Sequence, residues 1–586
     1  MTKRQKLFIF LILLAAIAFR FYGIQHMPGG LFPDEAANGL DINLMQQGHL
    51  QPFYERGNGR EALFFYMEWA STAIFGKGQW QFHVVSALIG VLSVLAVFLV
   101  TRRLFLQAEA DDPAKRSRSV NIALLAAFLM AVSSWHVVLS RTALRANLTP
   151  LFGALTLYLL LCSYQAVSQK AKLWFALLTG ASFALGFYTY IAFRIMAPIL
   201  FMILAWPLLA SLKQKQLGNV VRSYWKQALV FAGAFLAMIF PLADYFYHNF
   251  DYFIGRSGQV SIFNQTLYTV NGIQLTSRPP LSVVLAVFWT VLKTAVLGFF
   301  TAGDLNWRQN ISGYAFLSPL VSPFFGAGLI LVSLLGLWYF FAPNKRSKYW
   351  KYFLLTGWFW GMLLPELATA EGIPHGLRSA GAIAPSFIIA AWALYEFCQL
   401  ALKFHRKLWA RVGPSQSEPH WARENYFTPP RQRVVEWALK LLVACFIAAL
   451  TLQTYFLYFV YAASSPEYFY AFRADLTPVS KYLREQCDKS HTYLVLDKYS
   501  VQTTDYLTSD PKGNFSDKCS VPYQQVDPEN AWQLPKLQVG DRVVFTQSSI
   551  FDTKKFKQYH PETFLRLEDR NQFNQAVMAV YEVNPN

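Results

Sequence analysis

Apolar runs of membrane-spanning length recur along this chain as far as residue 461, and they confine it to a bundle of helices in a bilayer. They lie near residues 7–25, 82–101, 120–139, 148–167, 173–191, 195–211, 228–247, 324–342, 351–368, 380–400 and 434–461, about eleven spans. In hydrocarbon each backbone N–H and C=O must find its partner within the segment, so each run is predicted to be an α-helix. A composition of 54% hydrophobic, 17% aromatic and only 15% charged residues excludes a soluble enzyme. The formal net charge of +18 does not point to nucleic acid, because Lys and Arg cluster in short segments between the runs. These segments, 102–118, 170–172, 213–226, 345–351 and 403–433, follow alternate runs and are expected to face the cytoplasm together with the N-terminus. An odd number of spans then puts everything after Tyr461 on the extracytoplasmic side of a plasma (inner) membrane.

The opening MTKRQK followed by LFIFLILLAAIAF has the form of a signal peptide, yet no small-x-small cleavage site follows and the run is long enough to cross. A retained first helix is expected. Two outer loops, 26–81 and 248–323, are too long for simple turns. The first holds the aromatic stretch GREALFFYMEWASTAIFG and the second PPLSVVLAVFWTVLKTAVLGFF; both are expected to lie as helices along the membrane interface. Counting the second as a span would reverse the side of the basic 343–351 segment. Residues 1–461 thus form a polytopic domain, and 462–586 differ in kind. There DLTPVSKYLREQC reads as a helix and TYLVLDK, DRVVFTQ and AVMAVYEV as strands, which predicts a small extracytoplasmic α/β domain. It has no GxGxxG or GxxxxGK loop and hence no nucleotide signature. Cys487 and Cys519 lie in this part and can pair if it is outside the cytoplasm; Cys162, Cys398 and Cys445 fall in predicted membrane helices.

Asp34 and Glu35, in GGLFPDEAANGL, follow directly on the first run, where a lipid-borne substrate presents its head group and a carboxylate can take a proton from an attacking hydroxyl. The plainer reading is a helix start, since Asp before Glu-Ala-Ala caps well. The other charges on the outer side are few: Glu61, Glu68, Arg141, Arg145, Arg194, Asp304, Arg308, His375 and Arg378. Arg141 and Arg145 are four apart and would share a face if the third helix continued through them, suiting a phosphate; interfacial anchoring is the alternative. Arg194 and Arg378 stand at the corresponding ends of other helices. Asp304, Asn306 and Arg308, in AGDLNWRQNISG, can hydrogen-bond a sugar or acceptor, or simply form turns. His375 has no second His at metal-ligand spacing and reads more simply as a loop residue. Tyr188, Tyr190 and Trp307 can stack on a sugar or pack.

Taken in order and all on one side, PDEAANGLD, GREALFFYMEW, SRTALRANLTP, GDLNWRQN and PHGLRSAG resemble the bacterial relatives of protein O-mannosyltransferases. These are the family 39 type, including aminoarabinose-transferase-like members, within the GT-C superfamily of polytopic glycosyltransferases. The resemblance covers roughly 1–461. It implies an inverting transfer of a sugar from a polyprenyl-phosphate donor to an acceptor hydroxyl at the outer leaflet, the acceptor being protein, lipid or polysaccharide. It also implies that Asp34 is the base, with Glu35 beside it, and that Glu61 is the second acid of the loop. Where the family often shows Lys-Pro or His-Pro followed by a small apolar pair, this chain has Glu-Ala-Leu, and where many relatives carry an Arg near the start of the second helix it has His83. The carrier supplies an activated sugar, so no cofactor is required; a divalent metal is compatible with the chemistry, but no ligand spacing indicates one. A lipid-linked sugar flippase and a non-catalytic assembly protein are the competing classes. The one-sided clustering of polar residues and the lack of a repeat favour an enzyme.

Overall fold

The computed structural model describes residues 1–583 apart from 107–111, 214–216, 264–268, 271–272, 275–278, 342–345, 370, 413–428, 486–490 and 510–522. Cys487 and Cys519, and part of the basic 403–433 segment, lie outside the described residues.

Each expected apolar run is helical. In chain order the helices are α1 (Lys3–Phe21), α2 (Pro33–Gln46), α3 (Leu63–Phe75), α4 (Trp80–Phe105), α5 (Pro113–Ala131) and α6 (Ser134–Leu139). Then come α7 (Leu148–Gln165), α8 (Gln169–Phe187), α9 (Met196–Lys213), α10 (Leu217–His248), α11 (Phe250–Val260) and α12 (Leu281–Leu297). The last of the membrane part are α13 (Ser322–Phe341), α14 (Arg346–Leu367), α15 (Ile383–Val412) and α16 (Pro429–Tyr455). Among the described residues, six helices are long and apolar enough to cross a membrane. Large apolar side chains such as Phe10 and Leu14 on α1, Phe240 on α10, Leu334 on α13 and Leu442 on α16 are exposed, as a lipid-facing surface requires. Inside, rings interlock: Trp135 stacks on Phe316 with centroids 4.4 Å apart, and Phe299 stacks on Phe325 at 5.1 Å.

Local chemistry sets the helix starts. Thr2 and Gln5 form a reciprocal cap on α1, with Gln5 N donating to Thr2 Oγ1 (3.2 Å) and Thr2 N to Gln5 Oε1 (3.0 Å). The third run is not one helix, as expected from its length, but breaks after Ala131 and restarts where His136 N donates to Ser133 Oγ. The break is bridged by the buried Arg20 of α1, whose guanidinium donates to the carbonyls of Ala131 (3.0 Å) and Met130 (3.4 Å). Both expected interfacial stretches are helical, as α3 and α12. The 17 residues of α12 reach about 26 Å at ~1.5 Å per residue, short of the ~30 Å hydrocarbon core.

The C-terminal part carries a mixed five-stranded sheet. After two small hairpins, β1 (Phe53–Tyr54) with β2 (Arg60–Glu61) and β3 (Thr269–Val270) with β4 (Ile273–Gln274), come β5 (Thr492–Val495), β6 (Gln524–Val526), β7 (Arg542–Thr546), β8 (Thr563–Arg570) and β9 (Ala576–Val583). Their order is β6-β5-β7-β9-β8; β5 runs parallel to both neighbours and the β7–β9–β8 end is antiparallel. The three expected strands are β5, β7 and β9, whose apolar side chains are buried, whereas β8 is mostly exposed. Among the described residues four α-helices accompany the sheet: α17 (Pro466–Ala471), α18 (Leu476–Glu485), α19 (Val501–Thr508) and α20 (Thr553–Tyr559).

This domain is seated on the segment that follows α1. Thr503 Oγ1 donates to the Leu31 carbonyl (3.0 Å) and Thr477 Oγ1 to that of Gly29 (3.2 Å). Tyr506 of α19 stacks on Phe82 of α4 (5.4 Å), with the Lys77 ammonium 4.3 Å from its ring centre. Only glycine fits opposite that ring, since a Cβ at position 39 would lie 2.4 Å from Tyr506 Cδ2 and Cε2. A Cβ at Gly30 would likewise lie 2.3 Å from the Phe472 carbonyl oxygen.

Candidate functional site

Asp34 occupies the first turn of α2, where the helix N-terminus favours a negative charge, and its side chain is 54% exposed. Its Oδ1 accepts a hydrogen bond from Tyr499 Oη at 2.7 Å, a residue of the C-terminal domain. Its Oδ2 faces the guanidinium of Arg308 at 3.8 Å, too long for a hydrogen bond. The Arg308 guanidinium carbon lies 3.3 Å from the Phe32 ring centre, so the ring two residues before Asp34 holds the cation beside the carboxylate. Burial pulls the Arg308 value down, while Asp34, Tyr499, Glu35 and Asp304 push it up; the net direction is down.

Glu35 points the other way. It is fully buried; Oε2 accepts from Phe32 N (2.9 Å) and Oε1 from Ala143 N (2.7 Å), with His83 Nε2 at 3.5 Å. Burial raises its value, but His83 and these two backbone N–H groups outweigh it and leave the carboxyl below the usual range. The residue therefore ties the start of α2 to the turn after α6. Glu68, buried on α3, is pushed well above the ordinary carboxyl range, first by burial and then by the charge of Glu35.

A second cluster forms around β2. Glu61 is 2% exposed and lies between Arg145 Nε (3.3 Å from Oε2) and Arg194 Nη2 (3.5 Å from Oε1). Arg145 stands over the ring of Tyr190 at 5.6 Å. Arg194 donates to the Phe253 carbonyl (2.5 Å) and lies over that ring at 4.5 Å. Arg60, next to Glu61, joins the two clusters: Nη1 donates to the Asp34 carbonyl (3.3 Å) and Asn38 Oδ1 (2.6 Å), and Nη2 to Asp41 Oδ2 (2.5 Å). Arg56 Nε adds a bond to Asp41 Oδ1 at 3.0 Å.

Other predicted residues sit elsewhere. Arg141 and Arg145 share no helix face, because α6 ends at Leu139 and the chain turns before each arginine goes its own way. Arg141 is fully buried and donates to Tyr458 Oη (3.0 Å) and to the carbonyls of Phe19 (3.2 Å), Arg20 (2.8 Å) and Met27 (2.6 Å). It caps the C-terminal end of α1, and these four bonds occupy its Nε, both Nη1 hydrogens and one of Nη2. Asp304 fastens two loops together, accepting from Asn306 N (2.8 Å) and Gly376 N (2.7 Å), while Asn306 Oδ1 accepts from Arg308 N (3.1 Å). Burial pushes the Asp304 carboxyl up to about 6 against these bonds. His375 gives its backbone N–H to Glu366 Oε1 (2.9 Å), and Arg378 is bound to Glu371 and Thr369. Among the described residues no three His, Cys, Asp or Glu side chains are grouped as metal ligands. Tyr499, Arg60 and Asp41 belong to the site but were not foreseen. For the last two a signal existed, because Asp34, Asn38 and Asp41 recur at helical spacing and Arg60 directly precedes Glu61.

The comparisons with known proteins agree with this geometry at the level of fold. Residues 62–111, from the end of β2 into the segment after α4, match the family model "Dolichyl-phosphate-mannose-protein mannosyltransferase". No curated protein sequence matches the chain. ArnT from Cupriavidus metallidurans bound to undecaprenyl phosphate is similar in structure, with a TM-score of 0.55 at 12% identity over 98% of this chain and 97% of that one. Its apo state gives 0.51 at 12% identity with the same coverage. The Archaeoglobus fulgidus oligosaccharyltransferase complex with Zn and sulfate aligns at 0.45 and 14% identity, over 98% of this chain and 73% of that one, too remote to add to the argument. The protein is a multi-pass membrane protein with an ArnT-like fold, and it is mannosyltransferase-like in sequence over residues 62–111.

Proposed function

We propose that this protein is an inverting glycosyltransferase that moves a sugar from a polyprenyl-phosphate carrier to an acceptor hydroxyl at the extracytoplasmic face of the membrane. The observation that carries the reading is the half-exposed Asp34 carboxylate, whose Oδ2 accepts no hydrogen bond among the described residues, beside Arg60 and Arg308 and next to the Glu61 cluster. In the reaction the acceptor oxygen attacks the anomeric carbon and its proton passes to Asp34 Oδ2. The bond from that carbon to the phosphate oxygen breaks with inversion, and the electron pair leaves on the lipid phosphate. Proton removal by a placed carboxylate contributes about 10²- to 10⁴-fold in rate. Arg145 and Arg194, whose side chains are partly exposed, meet the charge that grows on the departing phosphate, with Glu61 fixing their positions. ArnT, the similar fold, was crystallised with undecaprenyl phosphate, which supports a carrier of this class. Basic segments between alternate helices support the assignment of sidedness.

The test compares purified wild type with Asp34→Asn, using undecaprenyl phosphate carrying radiolabelled hexoses or pentoses and membrane extract as the source of acceptor. Transfer by the wild type that falls by at least about 100-fold in the variant is the expected result. Transfer retained in Asp34→Asn removes the base from this account, and movement of intact labelled lipid across vesicle bilayers by both proteins replaces it with a flippase.

A further inference from the structure

We propose that Tyr499, carried by the C-terminal domain, is a positioning residue that holds the Asp34 carboxylate by one oxygen and leaves the other for the acceptor. The inference rests on the reading of Asp34 as the base.

Three observations carry it. The hydroxyl of Tyr499 donates to Asp34 Oδ1 at 2.7 Å, whereas among the described residues Oδ2 faces Arg308 at 3.8 Å without a hydrogen bond, so the two carboxylate oxygens are already differentiated. A base oriented by a third group is a recurring arrangement in proton transfer, because an unheld carboxylate spends much of its time in the wrong rotamer. Next, Tyr499 is itself fixed: its ring meets Phe32 edge-on at 5.9 Å, and its backbone N–H donates to Asp497 Oδ1 at 3.1 Å. The following residue is anchored as well, since Ser500 Oγ accepts from Arg473 Nη1 at 2.5 Å. Finally, the domain that presents it is seated without slack on α2 through Gly39 against Tyr506 and through Thr503 on the Leu31 carbonyl. The phenol stays a donor at any working pH, because burial and the Asp34 charge push it above its ordinary value. On this account the C-terminal domain supplies one wall of the reaction centre.

Two experiments decide the matter. Tyr499→Phe keeps the ring on Phe32 and removes only the donor. In the transfer assay it is expected to lower kcat by about 10- to 100-fold, the scale of a misplaced reacting group, with KM for the lipid-linked sugar within about twofold. A purely packing role would leave both constants unchanged. Separately, Phe32→Cys/Tyr499→Cys, in a background where the five native cysteines are replaced by alanine, should be joined by a short thiol-specific cross-linker in intact membranes. Failure to cross-link overturns the proposal whatever the substrate. Wild-type constants for Tyr499→Phe alongside an inactive Asp34→Asn overturn it too, while leaving the base in place. An active Asp34→Asn instead defeats the reading of the base.

Discussion

The seat of the C-terminal domain on α2 can be tested at one atom. Replacing Gly39 by alanine adds a Cβ 2.4 Å from Tyr506 Cδ2 and Cε2 and 2.7 Å from Cζ, where ordinary carbon contacts lie near ~3.5–4.0 Å. The ring must retreat by more than about 1 Å, yet it is 1% exposed, stacked on Phe82 and covered by Lys77, so it has nowhere to go without moving α19. Overpacking of this kind costs ~1–3 kcal/mol; taking ~2 kcal/mol, docking weakens by roughly 30-fold at ~1.4 kcal/mol per tenfold. Hydrogen exchange of the 501–508 amides in detergent-solubilised protein should accelerate by that factor. Exchange in α4 should be unchanged. Adding Tyr506→Leu to Gly39→Ala should restore most of the protection, because the smaller side chain vacates the contested space. Acceleration below about threefold, or no rescue by the second substitution, would refute the claim that this contact seats the domain.

Arg141→Met should lower stability by ~1–3 kcal/mol for each carbonyl left without its donor, those of Phe19 and Arg20 at the end of α1 above all; melting of the purified protein checks this. Asp304 gives a pH dependence of defined sign. Its folded value of about 6 exceeds the unfolded 3.8, so the native state holds the proton more tightly and stability falls as pH rises from about 4 to about 6, by roughly 3 kcal/mol, then levels off. Asp304→Asn should flatten that decline in melting curves recorded between pH 4 and 7. Glu35→Gln cannot accept from both Phe32 N and Ala143 N and should cost ~1–3 kcal/mol in the same assay, with activity at a permissive temperature largely kept.

The bundle was legible because spanning length is a property of single segments. Asp34 was legible for a similar reason, being placed by its distance from the end of the first run. The Arg141 and Arg145 pair was misread because spacing of four means a shared face only inside a continuous helix, and this one stops at Leu139. At that stop the Leu139 carbonyl is taken by a residue distant in sequence, Ser86 Oγ of α4 (3.2 Å), a contact no local pattern announces. Glu35 illustrates the same limit, since a buried tie and an exposed carboxylate look alike in a string of letters, and only the contacts with Ala143 and His83 separate them. Strands β5, β7 and β9 announced themselves by apolar runs, whereas β8 alternates charges on an exposed edge and gave no such signal. Nothing in the sequence marks Tyr499 as a neighbour of Asp34.

The 465 positions that separate Asp34 from Tyr499 also have a meaning in time. At ~5–20 residues per second, a ribosome that has finished the first needs roughly 20 to 90 s to reach the second. Through that interval the helices can insert and pack while the carboxylate waits without its partner. A chain cut short before residue 499 would lack the Tyr499 hydroxyl that donates to Asp34 Oδ1, so the order of synthesis itself makes this pairing a late event in the life of the molecule.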